Sequence, residues 1–188
     1  MKRISILRHA KAAPYADYSI DFQRPLVGRG PDDAERMAGF LAGQEQPPDW
    51  IISSPALRAR QTAEIAAYAL DLPQAILWDE RVYEATEETL LQVLQAAPER
   101  VNHVLLVGHN PGCADLAAGL CAGGSDRMSL HLPTAGLVCL QSDVFYWHQI
   151  RWGAAHLRLL VSPKTVKAAG NVKKAAGATK QRKADSES

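Results

Sequence analysis

Cysteine is scarce in this chain: Cys113, Cys121 and Cys139 are the three among 188 residues, and no CxxC pair occurs. That excludes a disulfide-stapled secreted framework and a thiolate metal site of ordinary spacing; Cys113 and Cys121 read as small helix-packing residues. Long apolar runs are also missing. None reaches membrane-spanning length, and the N-terminus enters a strand with no signal-type apolar region. These absences predict a cytoplasmic protein with no membrane partner. No internal repeat is present, which sets aside solenoid architectures. No carboxylate-rich cluster suggests a metal, so neither metal nor cofactor is expected. A net charge of only +1 gives the molecule as a whole no polyanion-binding bias.

That small charge hides an asymmetry. From Ser162 onward seven basic residues, from Lys164 to Lys183, face Asp185 and Glu187, so the tail carries about +5 and the remainder about −4. Large apolar side chains in this tail are limited to Val166 and Val172. Residues 162–188 therefore read as a basic, low-complexity, disordered extension. Such a tail can contact an acidic surface in a salt-sensitive way, but the acidic body argues against a nucleic-acid-binding protein.

Residues 1–161 read as one domain in which strands and helices alternate. Ile4, Ile6 and Leu7 mark a buried first strand. A loop punctuated by Pro and Gly follows from Ala13 to Gly30. Pro31 then opens a helix, with Asp32, Asp33 and Glu35 in its first turns and Met37, Phe40 and Leu41 along its apolar stripe. Strands are predicted at Trp50–Ser53, Ala75–Trp78 and Val104–Val107. Helices are predicted at Pro55–Leu70, Thr86–Ala97 (capped by Thr86) and Pro111–Leu120. Leu137–Gln141, Gln149–Trp152 and Leu157–Leu160 read as closing strands. This order implies an α/β fold of three layers, a mostly parallel sheet between helices with antiparallel strands at its edge.

Three strand-to-helix junctions carry related chemistry: Leu7-Arg8-His9-Ala10-Lys11, Ser53-Ser54-Pro55-Ala56-Leu57-Arg58, and Val107-Gly108-His109-Asn110-Pro111-Gly112. In a parallel sheet all three lie at the carboxyl edge, where open α/β sheets bind ligands. Ser54 is expected to cap the second helix, with Pro55 at its first position fixing where Arg58 projects. Two arginines and two histidines would then surround one point near helix N-termini, and guanidinium forks match phosphate oxygens. Arg60 reads as a surface residue. His103, His131, His148 and His156 read as structural or solvated, and Lys11 as an extension of the positive field.

Arg8-His9-Ala10-Lys11, the block Ser53-Ser54-Pro55 with Arg58-Ala59 and Gln61-Thr62-Ala63, and Gly108-His109-Asn110-Pro111-Gly112 together resemble the histidine phosphatase superfamily. Arg24-Pro25-Leu26 ahead of Gly30, with the short chain, narrows the resemblance to its SixA-like phosphohistidine phosphatase branch. It spans about Lys2 to Leu160. Val27-Gly28-Arg29 departs from it, since relatives usually carry a Thr and an acidic residue there.

The resemblance implies a phosphoglycerate mutase-like fold and a metal-independent phosphatase. His9 would be the nucleophile that becomes phosphohistidine, and Arg8, Arg58 and His109 would hold the phosphoryl oxygens. Glu84 sits where larger superfamily members carry an acidic proton donor; as a solvated or helix-capping carboxylate it would have no such role. A phosphohistidine leaves as an imidazole whose nitrogen is readily protonated, whereas a phosphomonoester calls for a donor. The short chain leaves little room for cap insertions, which favours a phosphohistidine-bearing protein as substrate. A small phosphate ester, or a catalytically silent phosphate-binding module, are the alternatives.

Overall fold

The computed structural model describes residues 1–170. Its centre is a six-stranded sheet of order β3-β2-β4-β1-β5-β6, built from β1 (Lys2–Arg8), β2 (Trp50–Ser53), β3 (Ile76–Trp78), β4 (His103–Gly108), β5 (Leu137–Ser142) and β6 (Ala155–Val161). The first four run parallel; β5 and β6 join antiparallel, with β5 beside β1. Central position explains composition. All six residues of β4 are buried, because helices cover both faces of a central parallel strand.

Alternation along the strands sorts the two faces. Ile4, Ile6, Val104 and Leu106 point toward α3 (Glu87–Gln95) and α4 (Gly112–Ala122), where Leu90, Leu94, Cys113 and Leu116 meet them. Leu7, Leu105 and Val107 point the other way, onto α1 (Gly30–Ala42) and α2 (Leu57–Ala69). There Ala59, Ala63, Ala66 and Ala67 present little bulk, so Met37 and Leu41 of α1 pack close to α2. The result is the expected three-layer α/β/α arrangement, with antiparallel strands at one edge.

Three expectations need correction. Gln149–Trp152 is not a strand. Trp147–Gln149 forms a 3-10 turn whose Trp147 is fully buried, its Nε1 donating to the Val101 carbonyl at 2.9 Å. The Gln149 side-chain oxygen accepts from the Phe145 and Tyr146 amides, so the apolar signal belongs to a tryptophan plug closed by a local cap. Secondly, Ser54 does not cap α2; the helix starts at Leu57 with Ala56 at its N-cap, and Ser54 turns toward the third junction. Thirdly, the chain does not lose order at Ser162. Residues 163–170 are helical, the Ser162 hydroxyl accepts the Thr165 amide at 3.3 Å, and Val166 packs on the core beside α1 and α2. The rest of the predicted tail lies outside the described residues. Among the described residues no helix is long and apolar enough to cross a membrane.

Candidate active site

Strand register brings the first and third junctions together. Arg8 of β1 pairs with Gly108 of β4, so His9 and His109 leave adjacent strands at the same level, their ring centroids 5.1 Å apart. The His9 amide donates to the Gly108 carbonyl at 3.0 Å, and the His9 carbonyl accepts from the Ala135 amide at 3.1 Å. Both bonds fix the backbone that carries the imidazole. Gly112, at the start of α4, is needed for a close approach: a Cβ there would strike the Ala85 carbonyl, so glycine lets the 83–85 loop lie against the third junction.

His9 is 8% exposed, and both its nitrogens have defined partners. Nδ1 lies 2.8 Å from the Ala10 carbonyl, which can only accept, so Nδ1 carries the proton. Nε2 accepts from the Arg58 Nε–H at 3.2 Å, which requires a lone pair there. Burial first, and then the charges of Arg58, Arg8 and Arg24 working against the Ala10 bond, push the His9 pKa down to about 4. At neutral pH this imidazole is therefore neutral, with its Nε2 lone pair directed at the Arg58 Nε–H in the cavity wall. That is the state and tautomer of a nitrogen nucleophile.

Arg58, on the first turn of α2, is 3% exposed. Its Nη1 donates to the Asp21 carbonyl and its Nη2 to Asp21 Oδ2, both at 2.8 Å. Asp21 Oδ2 also accepts from the Tyr83 hydroxyl at 2.9 Å, and Oδ1 from Arg24 Nε at 2.7 Å. Burial opposes the Asp21 charge, but the Tyr83 and Arg24 hydrogen bonds and the Arg58 charge outweigh it and lower the pKa. The carboxylate is thus ionised and holds two guanidinium groups in place. Arg24 Nη1 donates onward to the Ala13 carbonyl at 2.6 Å.

His109 is 6% exposed and its Nε2 lies 2.8 Å from Ser54 Oγ, which in turn accepts the Ala56 amide at 3.3 Å. Burial, and next the neighbouring His9 and Arg58, lower its pKa to about 3. Tyr83 meets the ring edge-on at 5.5 Å. Arg8 donates through Nη1 to the Leu132 carbonyl at 3.0 Å, and Asn110 Nδ2 reaches the same oxygen at 2.9 Å. Among the described residues Arg8 Nε and His109 Nδ1 are buried without a hydrogen-bond partner, which leaves both nitrogen positions at these junctions open.

These groups line one cavity of about 350 Å³, with Arg8, His9, Arg24, Arg58, Glu84 and His109 among its walls and Lys11 at its rim. Glu84 is exposed, adopts a positive φ of 49°, and does not cap α3, since Thr86 accepts from the Thr89 amide instead. A larger cavity, about 760 Å³ between α1 and α2, is lined by Leu26, Ile65, Tyr68 and neighbours and holds no nucleophile. Size does not mark the chemistry here. His103 is structural, as expected: buried, its Nδ1 donates to the Gln46 carbonyl at 2.9 Å and its Nε2 meets Ser5 Oγ at 2.8 Å. Arg60 pairs on the surface with Glu64 at 2.9 Å. Among the described residues no group of three or more His, Cys, Asp or Glu is disposed to hold a metal ion.

Asp21, Arg24 as a side chain, Tyr83 and Ser54 as a partner of His109 escaped the sequence reading. Asp21-Phe22-Gln23-Arg24 sits in an irregular loop with no periodicity, and its one signal was proximity to Arg24-Pro25-Leu26.

Comparison with known proteins decides the family. The model of the histidine phosphatase superfamily (branch 1) matches residues 4–103. The chain belongs to the histidine phosphatase superfamily. Within it the chain is SixA-like, and it is a phosphatase of that superfamily. It is 34% identical to phosphohistidine phosphatase SixA of Escherichia coli over 128 residues, 67% of this chain and 78% of that one. An uncharacterized protein of Mycobacterium tuberculosis is 33% identical over 157 residues, covering 80% of this chain and 96% of its own. The solved structure of the protein histidine phosphatase SixA complexed with tungstate superposes with a TM-score of 0.72 at 29% identity, covering 86% of this chain and 97% of that one. The phosphoglycerate mutase-like fold expected for a histidine phosphatase is thereby found.

Proposed function

We propose that the protein removes phosphate from phosphohistidine on a signalling or phosphotransfer protein, through a covalent intermediate on His9 and without a metal. The observation that carries this reading is the tethered imidazole: the Ala10 carbonyl fixes the proton on Nδ1, and Nε2 keeps a lone pair beside Arg58. In the first step His9 Nε2 attacks phosphorus in line, and the bond from phosphorus to the substrate imidazole breaks. The departing nitrogen takes a proton. In the second step water attacks the phosphohistidine, inorganic phosphate leaves, and His9 returns to its neutral form. Splitting one displacement into two lowers each barrier. Arg8, Arg58 and His109 surround the phosphoryl oxygens, and their preset positions supply the electrostatic stabilisation on which phosphoryl transfer depends.

Two features favour a protein-borne substrate. Among the described residues, the loops that line the cavity at Asp21 and Glu84 carry only three-residue 3-10 turns, such as Asp21–Gln23 and Glu80–Val82, and no helical cap that would enclose a small ligand. An imidazole leaving group also places a smaller demand on a proton donor. The cytoplasm, where phosphotransfer proteins act, is the compartment this reading assigns.

Glu84 supports a second reading, a phosphatase of small phosphomonoesters, because its carboxylate stands at the cavity wall. Incubation with a phosphohistidine-bearing protein and with an aryl phosphate separates the two. The proposal expects faster turnover of the phosphohistidine and a Glu84→Gln change within about threefold of the parent on it. Exclusive turnover of the aryl phosphate, slowed by about 10² in Glu84→Gln, would establish the monoester reading. Inactivity on both would leave a phosphate-binding module.

A further inference from the structure

Beside the active-site cavity lies a second cleft, about 430 Å³, between the helix over 163–170, the start of α1 and residues 133–134. Thr134 lines both cavities, and the adjoining Ala135 amide donates to the His9 carbonyl at 3.1 Å, so the two openings share one wall. The cleft presents Arg29, Arg36, Lys164 and Lys167 against Asp32 and Asp33. Asp33 is committed to its own element, with Arg29 Nε and Arg36 Nη1 each 3.2 Å from its carboxylate. Lys164 and Lys167 are exposed and make no ion pair or side-chain hydrogen bond among the described residues. Lys11, at the rim of the active-site cavity, is likewise exposed and unpaired among them.

The helix that carries the two lysines is fixed in position. Pro163 is buried, and Val166 packs on the core beside α1 and α2. The positive charge of Lys164 and Lys167, set against residues 1–161 with a net of about −4, is therefore held on the face that carries the nucleophile. Such placement steers and orients an anionic partner over the catalytic groups.

We propose that this cleft, with Lys164 and Lys167 as its cationic edge, docks an acidic surface of the phosphoprotein substrate while its phosphohistidine reaches His9. The inference rests on the phosphohistidine phosphatase reading above and adds the chemistry of the partner: a net acidic protein, held by long-range charge and released by salt. Arg29 and Arg36, braced by Asp33, form the fixed floor, and the lysines supply the free charge.

The test uses the full chain and its K164E/K167E variant. Rates are measured on a net acidic histidine phosphotransfer domain phosphorylated with phosphoramidate, and on free phosphohistidine. At low salt the variant should lose about tenfold or more in kcat/KM on the phosphorylated domain, mainly through KM, and nothing on free phosphohistidine. High salt should erase the difference. K164Q/K167Q should fall between parent and variant, and circular dichroism should show all three folded alike. Equal rates of parent and variant on the phosphorylated domain would overturn the docking site and leave the phosphatase reading standing. A parent inactive on both substrates would overturn that reading and the docking site with it. Equal losses on both substrates would show that the lysines act on the catalytic groups, contradicting docking. A variant that loses only affinity for a single-stranded oligonucleotide would assign the surface to nucleic acid and likewise overturn the proposal.

Discussion

Two buried histidines stand at opposite ends of the same pair of parallel strands. His103 begins β4 and His9 follows β1, and in each the Nδ1–H donates to a nearby carbonyl, Gln46 at 2.9 Å and Ala10 at 2.8 Å. Burial lowers the pKa of both. They part at Nε2. At the amino edge His103 Nε2 meets the Ser5 hydroxyl, a neutral partner that completes a polar pair inside the core. At the carboxyl edge His9 Nε2 meets only a guanidinium N–H, in a cavity walled by Arg8, Arg24 and Arg58. Tethering and burial prepare an imidazole in either place; what surrounds Nε2 separates one that closes a core from one set among guanidinium groups, where we propose it attacks an anion.

His9→Ala should break the comparison most sharply, lowering turnover by on the order of 10⁴-fold with little loss of stability, as steady-state kinetics and thermal melts would show. Arg58→Ala should cost about 10³-fold, because it removes both the guanidinium proposed to hold a phosphoryl oxygen and the contact to Nε2. Unchanged turnover in that variant would refute the assignment of the site. Asp21→Ala should cost about 10- to 100-fold, chiefly in kcat, by freeing the Arg58 and Arg24 forks it now holds. His103→Ala should leave turnover within about threefold and lower stability by about 1–3 kcal/mol, since Ser5 Oγ and the Gln46 carbonyl lose their buried partner.

The smallest effects concern pH. A histidine whose folded pKa is depressed stabilises the protein fully above its ordinary value of 6.5, and that contribution fades as pH falls toward about 4 for His9 and about 3 for His109. Melting temperature should therefore drop between those limits. The acid limb of kcat/KM should follow the free enzyme's His9, near 4 and not near 6.5.

Much of this is legible in the sequence. The alternating pattern places β1, β2 and β4, parallel pairing then puts the junctions after them at one edge, and Arg8, His9, Arg58 and His109 do meet there. A serine before proline signals a cap, but the Ser54 hydroxyl is taken up by His109 at the end of the neighbouring strand. Asp21 and Tyr83 were hidden for a related reason: both sit in loops, where side-chain placement follows ion pairing and not periodicity. Residues 149–152 read as a strand because an isoleucine and a tryptophan lie close together, but Ile150 instead ends the Trp147–Gln149 turn, and its side chain and that of Trp147 are spent on the core. At Val27-Gly28-Arg29 the departure from relatives is absorbed locally. Gly28 takes a φ of 55°, the Gly30 amide donates to the Val27 carbonyl at 2.9 Å, and α1 begins where Pro31 predicts.

The central claim, that a neutral Nε2 set beside Arg58 makes His9 a nucleophile, is tested most directly by rapid acid-free quenching during turnover, followed by mass spectrometry of the His9 peptide. The account predicts an acid-labile, base-stable phosphate on His9 that is absent from His9→Ala and never appears on His103. Turnover with no phosphate on His9, or with phosphate on another residue, would contradict it.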